Sequence, residues 1–365
     1  MSGTSAFAIS RGCRCAANVA LPLALPLALV GGLALAPQRP SGASAASAPL
    51  AAADTEYSAL RRHVVEGRLA PLDAVRHAVL THRLVLLGDV HPAAEPKALL
   101  LELLRDSAVA ERLDALALEI PASAQRWVSA YLRSSPEDPS LLARDPAALR
   151  SLWGGRAQWL AIFHELYALQ RARPRPLAVI AMDLPGWPAR ATSARAAVSL
   201  YGDRDSSMAA QLLAALDGCA GCAARGGPHV LAFLGGYHVL RGLEADLSIG
   251  TNTGRVIWLA TRLERKGVHA YTVLADGLPT SVRLGGEVSH GATRLYDILS
   301  RRGWPAAPYA IDVDSTADAV RHAIREPSDS TGVSFTLRPS EYHLRDAVDL
   351  FLFLGETTPL DGARE

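Results

Sequence analysis

The stretch LVLLGDVH, Leu84 to His91, runs through four apolar residues into a glycine, an acid and a histidine. Its apolar run has no polar alternation, so it reads as a strand covered on both faces, the habit of parallel sheets. LAFLGGYH, residues 231–238, repeats the pattern: an apolar run, a glycine, and a histidine three residues later. ALALEI (115–120), LAVIAMD (177–183), HAYTVLAD (269–276), YAIDVD (309–314) and AVDLFLFLG (347–355) are further apolar runs with strand character. Between them lie segments with apolar residues at three- and four-residue steps: 56–79 (broken near Pro71), 95–113, 123–133, 156–172, 204–218, 253–267 and 292–303. Strands alternating with helices predict an α/β fold with a mainly parallel open sheet flanked by helices. The loop-rich segment 134–155 reads as a helical insertion.

In such a sheet, ligands bind beyond the carboxyl ends of the strands. Four consecutive strand ends carry Asp89 with His91, then Glu119, then Asp183, then Tyr237 with His238. Two imidazoles and three carboxylates at one rim can hold a divalent metal or pair as acid and base. Gly88, and Gly235 with Gly236, let the chain leave the sheet sharply, aiming each histidine over the edge. Glu119 follows an apolar run and precedes Ile-Pro, where a lone buried carboxylate is costly. Arg204 and Asp205 are placed at the start of the helix 204–218. An acid suits a helix N-terminus and an arginine does not, which points to Arg204 pairing with a site carboxylate or gripping an anion. The remaining histidines have no motif partners, and no G-x-S-x-G or G-x-G-x-x-G fingerprint occurs.

The 365-residue chain carries a net charge of +1, and its cations are not blocked together, so nucleic acid is a poor partner. All its cationic side chains are arginines except Lys97 and Lys266. Residues 1–48 differ from the rest. Arg11 and Arg14 precede the apolar LPLALPLALVGGLALA (21–36), and A-x-A sites follow at Ala45 and Ala48. This reads as a signal peptide, with a membrane anchor as the alternative, followed by an Ala/Ser/Pro linker. A periplasmic or extracellular location is expected, and residues 55–356 are expected to form one domain. Cys219 and Cys222 suit a small local disulfide or idle thiols better than a redox or zinc site.

The succession LVLLGDVHPAAEPKALLLELL, LALEIPASAQRWVSAYL, VIAMDLP, DRDSSMAAQLL and LAFLGGYHVLRG, from Leu84 to Arg241, resembles the ChaN-like group of the haem-binding-uptake/Tiki superfamily. Erythromycin esterases are more distant relatives of that group. The resemblance places its first GxxH motif on Gly88 and His91, its acid on Glu119, its Arg-Asp pair on Arg204 and Asp205, and its second GxxH on Gly235 and His238. Asp89 departs from the glutamate that many members have, and its shorter arm puts a role needing the longer acid in doubt. The resemblance implies two functional expectations, between which a shared scaffold does not choose. One is an exported haem- or iron-binding protein of iron uptake, with Asp89, Tyr237 and His238 at the cofactor and Tyr131, Tyr167 and Tyr201 competing as axial ligands. The other is an esterase or peptidase in which His91, Glu119 and His238 hold a divalent metal or poise a water, and Arg204 offsets developing charge.

Overall fold

The structure is a computed structural model describing residues 66–91, 93–134, 155–187, 190–218, 226–278, 283–284, 287–288, 307–313, 321–322, 333–339, 342–358 and 360. The leader, the insertion at 135–154, the cysteine pair and the segment 292–303 lie outside these residues. The strands are β1 (Leu84–Asp89), β2 (Ala115–Pro121), β3 (Ala178–Asp183), β4 (Val230–Gly235), β5 (Glu244–Ile249), β6 (Asn252–Ile257), β7 (Tyr271–Leu278), β8 (Tyr309–Asp312), β9 (Val333–Arg338) and β10 (Leu350–Glu356). The helices are α1 (Pro71–Thr81), α2 (Glu95–Arg105), α3 (Ser107–Arg112), α4 (Gln125–Arg133), α5 (Arg156–Ala172), α6 (Ala194–Asp217) and α7 (Leu259–Glu264). None of the described helices is long and apolar enough to cross a membrane.

Seven strands form one sheet in the order β8-β10-β7-β1-β4-β2-β3, parallel except where β8 meets β10. The expected α/β architecture is therefore the observed one. β1 is buried throughout, and its side chains alternate between the two faces. Leu84 and Leu86 join a core with Met208 and Leu212 of α6 and Leu247 of β5. Val85 and Leu87 join the opposite core, built from α1 to α5 around Leu100, Val128 and Phe163. β3 is an edge strand, and the Gln125 side chain covers its rim, donating to the Val179 carbonyl at 2.9 Å and accepting from the Ala181 amide at 2.7 Å.

Among the elements that differ from expectation, two bear most on the site. The segment 253–267 is predicted helical throughout, yet its first half is β6. β6 pairs antiparallel with β5 through a two-residue turn at Gly250 and Thr251, and β9 completes a small three-stranded sheet. Gly250 sits at φ +58°, open to glycine and strained for other residues. Thr253, Val256 and Ile257 are β-branched and fit a strand, so a periodicity of three to four misread a hairpin. The second difference is α6. It starts at Ala194, capped by the Ser193 hydroxyl, which accepts from the Ala196 amide. Arg204 and Asp205 are therefore mid-helix. They share an inward stripe with Leu200, Met208 and Leu212 at four-residue steps.

Candidate functional site

The site assembles where β1, β4, β2 and β3, four neighbours in the sheet, end at the same edge. The register sets Asp89 opposite Gly235, so the residues after β1 reach across β4. None of Gly88, Gly235 and Gly236 has a positive φ, and each lies within or directly after a strand. The glycines serve close approach rather than a sharp turn. A Cβ on Gly88 would fall 2.9 Å from the Val273 carbonyl oxygen of β7, and one on Gly235 would fall 2.8 Å from His91 Nε2. The first histidine thus packs directly over the second motif's glycine.

Glu119 is the centre. The backbone pairing of β2 with β4 ends at Leu118 and Phe233, and beyond it the Gly235 amide donates to Glu119 Oε2 at 2.5 Å. A side-chain carboxylate takes over where the ladder stops, which accounts for this backbone donor. The Arg204 guanidinium of α6 donates to Glu119 Oε1. It also forks onto Asp183, with Nε 3.0 Å from Oδ1 and one terminal nitrogen 2.8 Å from Oδ2. Its plane lies 4.6 Å from the Trp187 ring centroid. Burial works against the Arg204 charge, but Glu119 and Asp183 outweigh it and raise its pKa. Asp183, expected at the strand end, is buried and bound to this arginine, and also accepts from the Leu184 amide at 2.7 Å.

Two imidazoles flank Glu119, each held by a carboxylate of its own. His91 has Nδ1 3.0 Å from Asp89 Oδ2 and Nε2 3.7 Å from Glu119 Oε2. His238 has Nδ1 2.7 Å from Asp205 Oδ1 and Nε2 3.5 Å from Glu119 Oε1. Their environments differ. The His91 side chain is 25% exposed, whereas that of His238 is 8% exposed. Burial pushes His238 toward neutrality, but Asp205 and Glu119 reverse this and raise its pKa to about 10. With a carboxylate at each nitrogen, its imidazolium form is the one both contacts accommodate. Burial likewise opposes ionisation of Glu119, yet His238, His91 and Arg204 hold its pKa well below the ordinary 4.5. Asp89, for all its short side chain, reaches His91 without difficulty.

One residue of this cluster was not read from the sequence. Lys97 of α2 is 1% exposed, and its ammonium lies 2.7 Å from both Asp89 oxygens. The signal was there: Lys97, Leu100 and Leu104 follow helical spacing on the apolar stripe, in a chain that otherwise uses arginine almost throughout. Asp89, Glu119, Asp183 and Asp205 thus face Lys97, Arg204 and protonated His238. Within the cluster four anions meet three cations.

Tyr237 does not join the others. Its ring stacks on Trp258 at 5.6 Å between centroids and packs near Phe335, while Trp258 also meets His238 edge-on. Tyr131 and Tyr167 pack on the opposite side of the sheet, around Phe163. Tyr201 packs between Trp187 and Phe335. For a metal, His91, Glu119 and His238 form the donor set suggested by the motifs. Glu119 already accepts from Arg204 and Gly235, and the His238 nitrogens are turned to carboxylates. Among the described residues no group of three His, Cys, Asp or Glu side chains is arranged to hold a metal ion.

Fold and site together define an α/β protein with a carboxylate-centred, doubly imidazole-flanked ionic cluster at the C-terminal edge of its sheet. No protein-family model matches the chain, and no curated protein matches it. Solved structures do. A protein from Bacillus cereus superposes with a TM-score of 0.54 at 11% identity, covering 84% of this chain and 98% of that one. A succinoglycan biosynthesis protein gives 0.50 at 10% identity, covering 87% and 99%. An erythromycin esterase variant in its open conformation gives 0.49 at 12% identity, covering 80% and 95%. At such identities the likeness concerns the fold.

Proposed function

We propose that the protein is a hydrolase of ester or related acyl bonds, of the erythromycin-esterase-like kind among the groups its motifs resemble, working without a metal. The observation that carries this reading is the pair of carboxylate-held imidazoles facing one buried carboxylate. His91 is the general base: Asp89 holds Nδ1–H, leaving Nε2 to take a proton from water. The hydroxide so formed adds to the acyl carbon, and collapse releases the acid and an alcohol that recovers the proton. His238 stays protonated between Asp205 and Glu119 and supplies the fixed positive charge for the developing oxyanion. Arg204 is buried, with its Nε and one terminal nitrogen engaged by Asp183 and Glu119, so its role here is to position Glu119.

The haem reading draws less support from this arrangement. Both His238 nitrogens face carboxylates, and Tyr237 is packed among aromatic rings. The test is a panel of esters and amides with wild type, His91→Ala and His238→Gln, repeated with a chelator, alongside a haemin titration. Expected are hydrolysis that survives the chelator, a loss of about 100- to 10,000-fold in each variant, and no shifted Soret band. A wild type inert on the whole panel, or one that His91→Ala leaves fully active, rejects the hydrolase. Activity lost to chelator and restored by a divalent ion would return the site to metal chemistry.

A further inference from the structure

Lys97 makes more contacts than charge neutralisation requires. Besides both Asp89 oxygens, its ammonium reaches the His91 carbonyl at 2.7 Å and the Val90 carbonyl at 3.3 Å. Four acceptors converge on one nitrogen, all from the stretch that carries the first histidine. A compact ammonium with three rotatable protons can serve such a point, whereas a planar guanidinium spreads its donors over a fork. That geometry accounts for a lysine where the chain otherwise uses arginine. Lys97 also sits at the first turn of α2, whose Leu100 and Leu103 are anchored in the core, so the clamp is referred to a rigid element. The cost is substantial: burial lowers the lysine's pKa, and Asp89 offsets this only in part.

We propose that Lys97 is a positioning residue for His91, clamping Asp89 and the Val90–His91 backbone together so that His91 keeps Nδ1 bound to Asp89 and presents Nε2 as the basic nitrogen. This rests on the assignment of His91 as the base. It extends that assignment by naming what makes one tautomer prevail. Without the clamp Asp89 has no buried counter-charge and the loop loses its tie to α2.

The test reads the imidazole itself. Long-range ¹H–¹⁵N correlation spectra of full-length wild type, Lys97→Met and Lys97→Arg, with His91 assigned by its loss in His91→Gln, report the tautomer of each histidine. Wild type is expected to show His91 protonated at Nδ1. Folded Lys97→Met is expected to show mixed tautomers at His91, with His238 unmoved. Its kcat is expected to fall about 10- to 100-fold, the scale of a small misplacement, with little change in KM. Lys97→Arg keeps the charge and covers the case in which the methionine variant does not fold; it is expected to disturb His91 in the same way. His91 signals unchanged in either folded variant overturn the proposal. A wild type with no hydrolytic activity would sink the function while leaving the spectra to decide the clamp.

Discussion

At the scale of residues, the contact between His91 and Gly235 is the sharpest constraint in the site. A methyl group at Gly235 would stand 2.8 Å from His91 Nε2 and 3.4 Å from Glu119 Oε2, so the ring must move. Gly235→Ala is expected to cost about 1–3 kcal/mol of stability and to abolish most hydrolysis, read by chemical denaturation and by the ester assay together. A variant of wild-type stability and activity would mean that the ring has room the structure does not give it. The two histidines and Glu119 were legible because motifs flag them: a glycine three residues before each imidazole and an acid inside an apolar strand; Arg204 was flagged as an arginine at a helix start, a position the structure replaces with mid-helix. Asp183 is less distinctive in the sequence, since Asp-Leu-Pro is equally good turn chemistry. Lys97 was missed because EPKALLLELLR is an ordinary amphipathic helix until its lysine is placed on the apolar stripe, and that placement depends on which face the fold buries.

At the scale of elements, α6 does the assembling. It brings Arg204 to Asp183 and Glu119, and Asp205 to His238, from one inward stripe. Its packing partner is the small antiparallel sheet. Gly254 of β6 approaches so closely that a Cβ there would fall 2.4 Å from Val198 Cγ1. Gly254→Val is expected to lever α6 away from β6, costing about 1–3 kcal/mol. Because Arg204 and Asp205 ride on the same helix, activity is expected to fall in this variant although residue 254 touches no site residue. Loss of stability with unchanged catalytic parameters would show that the helix bends locally instead. The parallel sheet was readable because buried strands are nearly all apolar and bounded by polar residues. The hairpin was not, because TGRVIWLATRL carries strand and helix signals in one run, and only the pairing of β5 with β6 and β9 decides between them. The start of α6 was placed ten residues late for a similar reason: GDRDSS has the composition of a cap, and burial of its Arg-Asp pair overrode that local preference.

At the scale of the whole molecule, the cluster links folding to pH chiefly through Glu119 and His238, whose shifts are opposite, while Lys97, lowered by burial, works against the alkaline decline as pH enters its own range. The native Glu119 carboxyl titrates well below the ordinary 4.5, so its contribution is complete above that value and is lost as pH falls through its native pKa. His238 titrates near 10 in the folded chain against an ordinary 6.5, so its contribution is complete below 6.5 and is lost as pH rises toward 10. Between those two values the native state holds one proton more than the unfolded chain, and stability must decline with pH. The limiting slope is about 1.4 kcal/mol per pH unit for a single proton. Stability is therefore expected to peak between pH 4.5 and 6.5, to slope downward on the alkaline side, and to fall again in acid. Denaturant melts across pH 3 to 10 measure this profile, and the discriminating comparison is His238→Gln, which keeps a polar side chain but removes the titrating group. That variant is expected to start from a lower stability and to lose most of the alkaline slope while retaining the acid limb. If its alkaline limb instead parallels that of wild type, the proton responsible sits elsewhere, and the picture of His238 as a permanent imidazolium, on which its oxyanion role depends, fails with it.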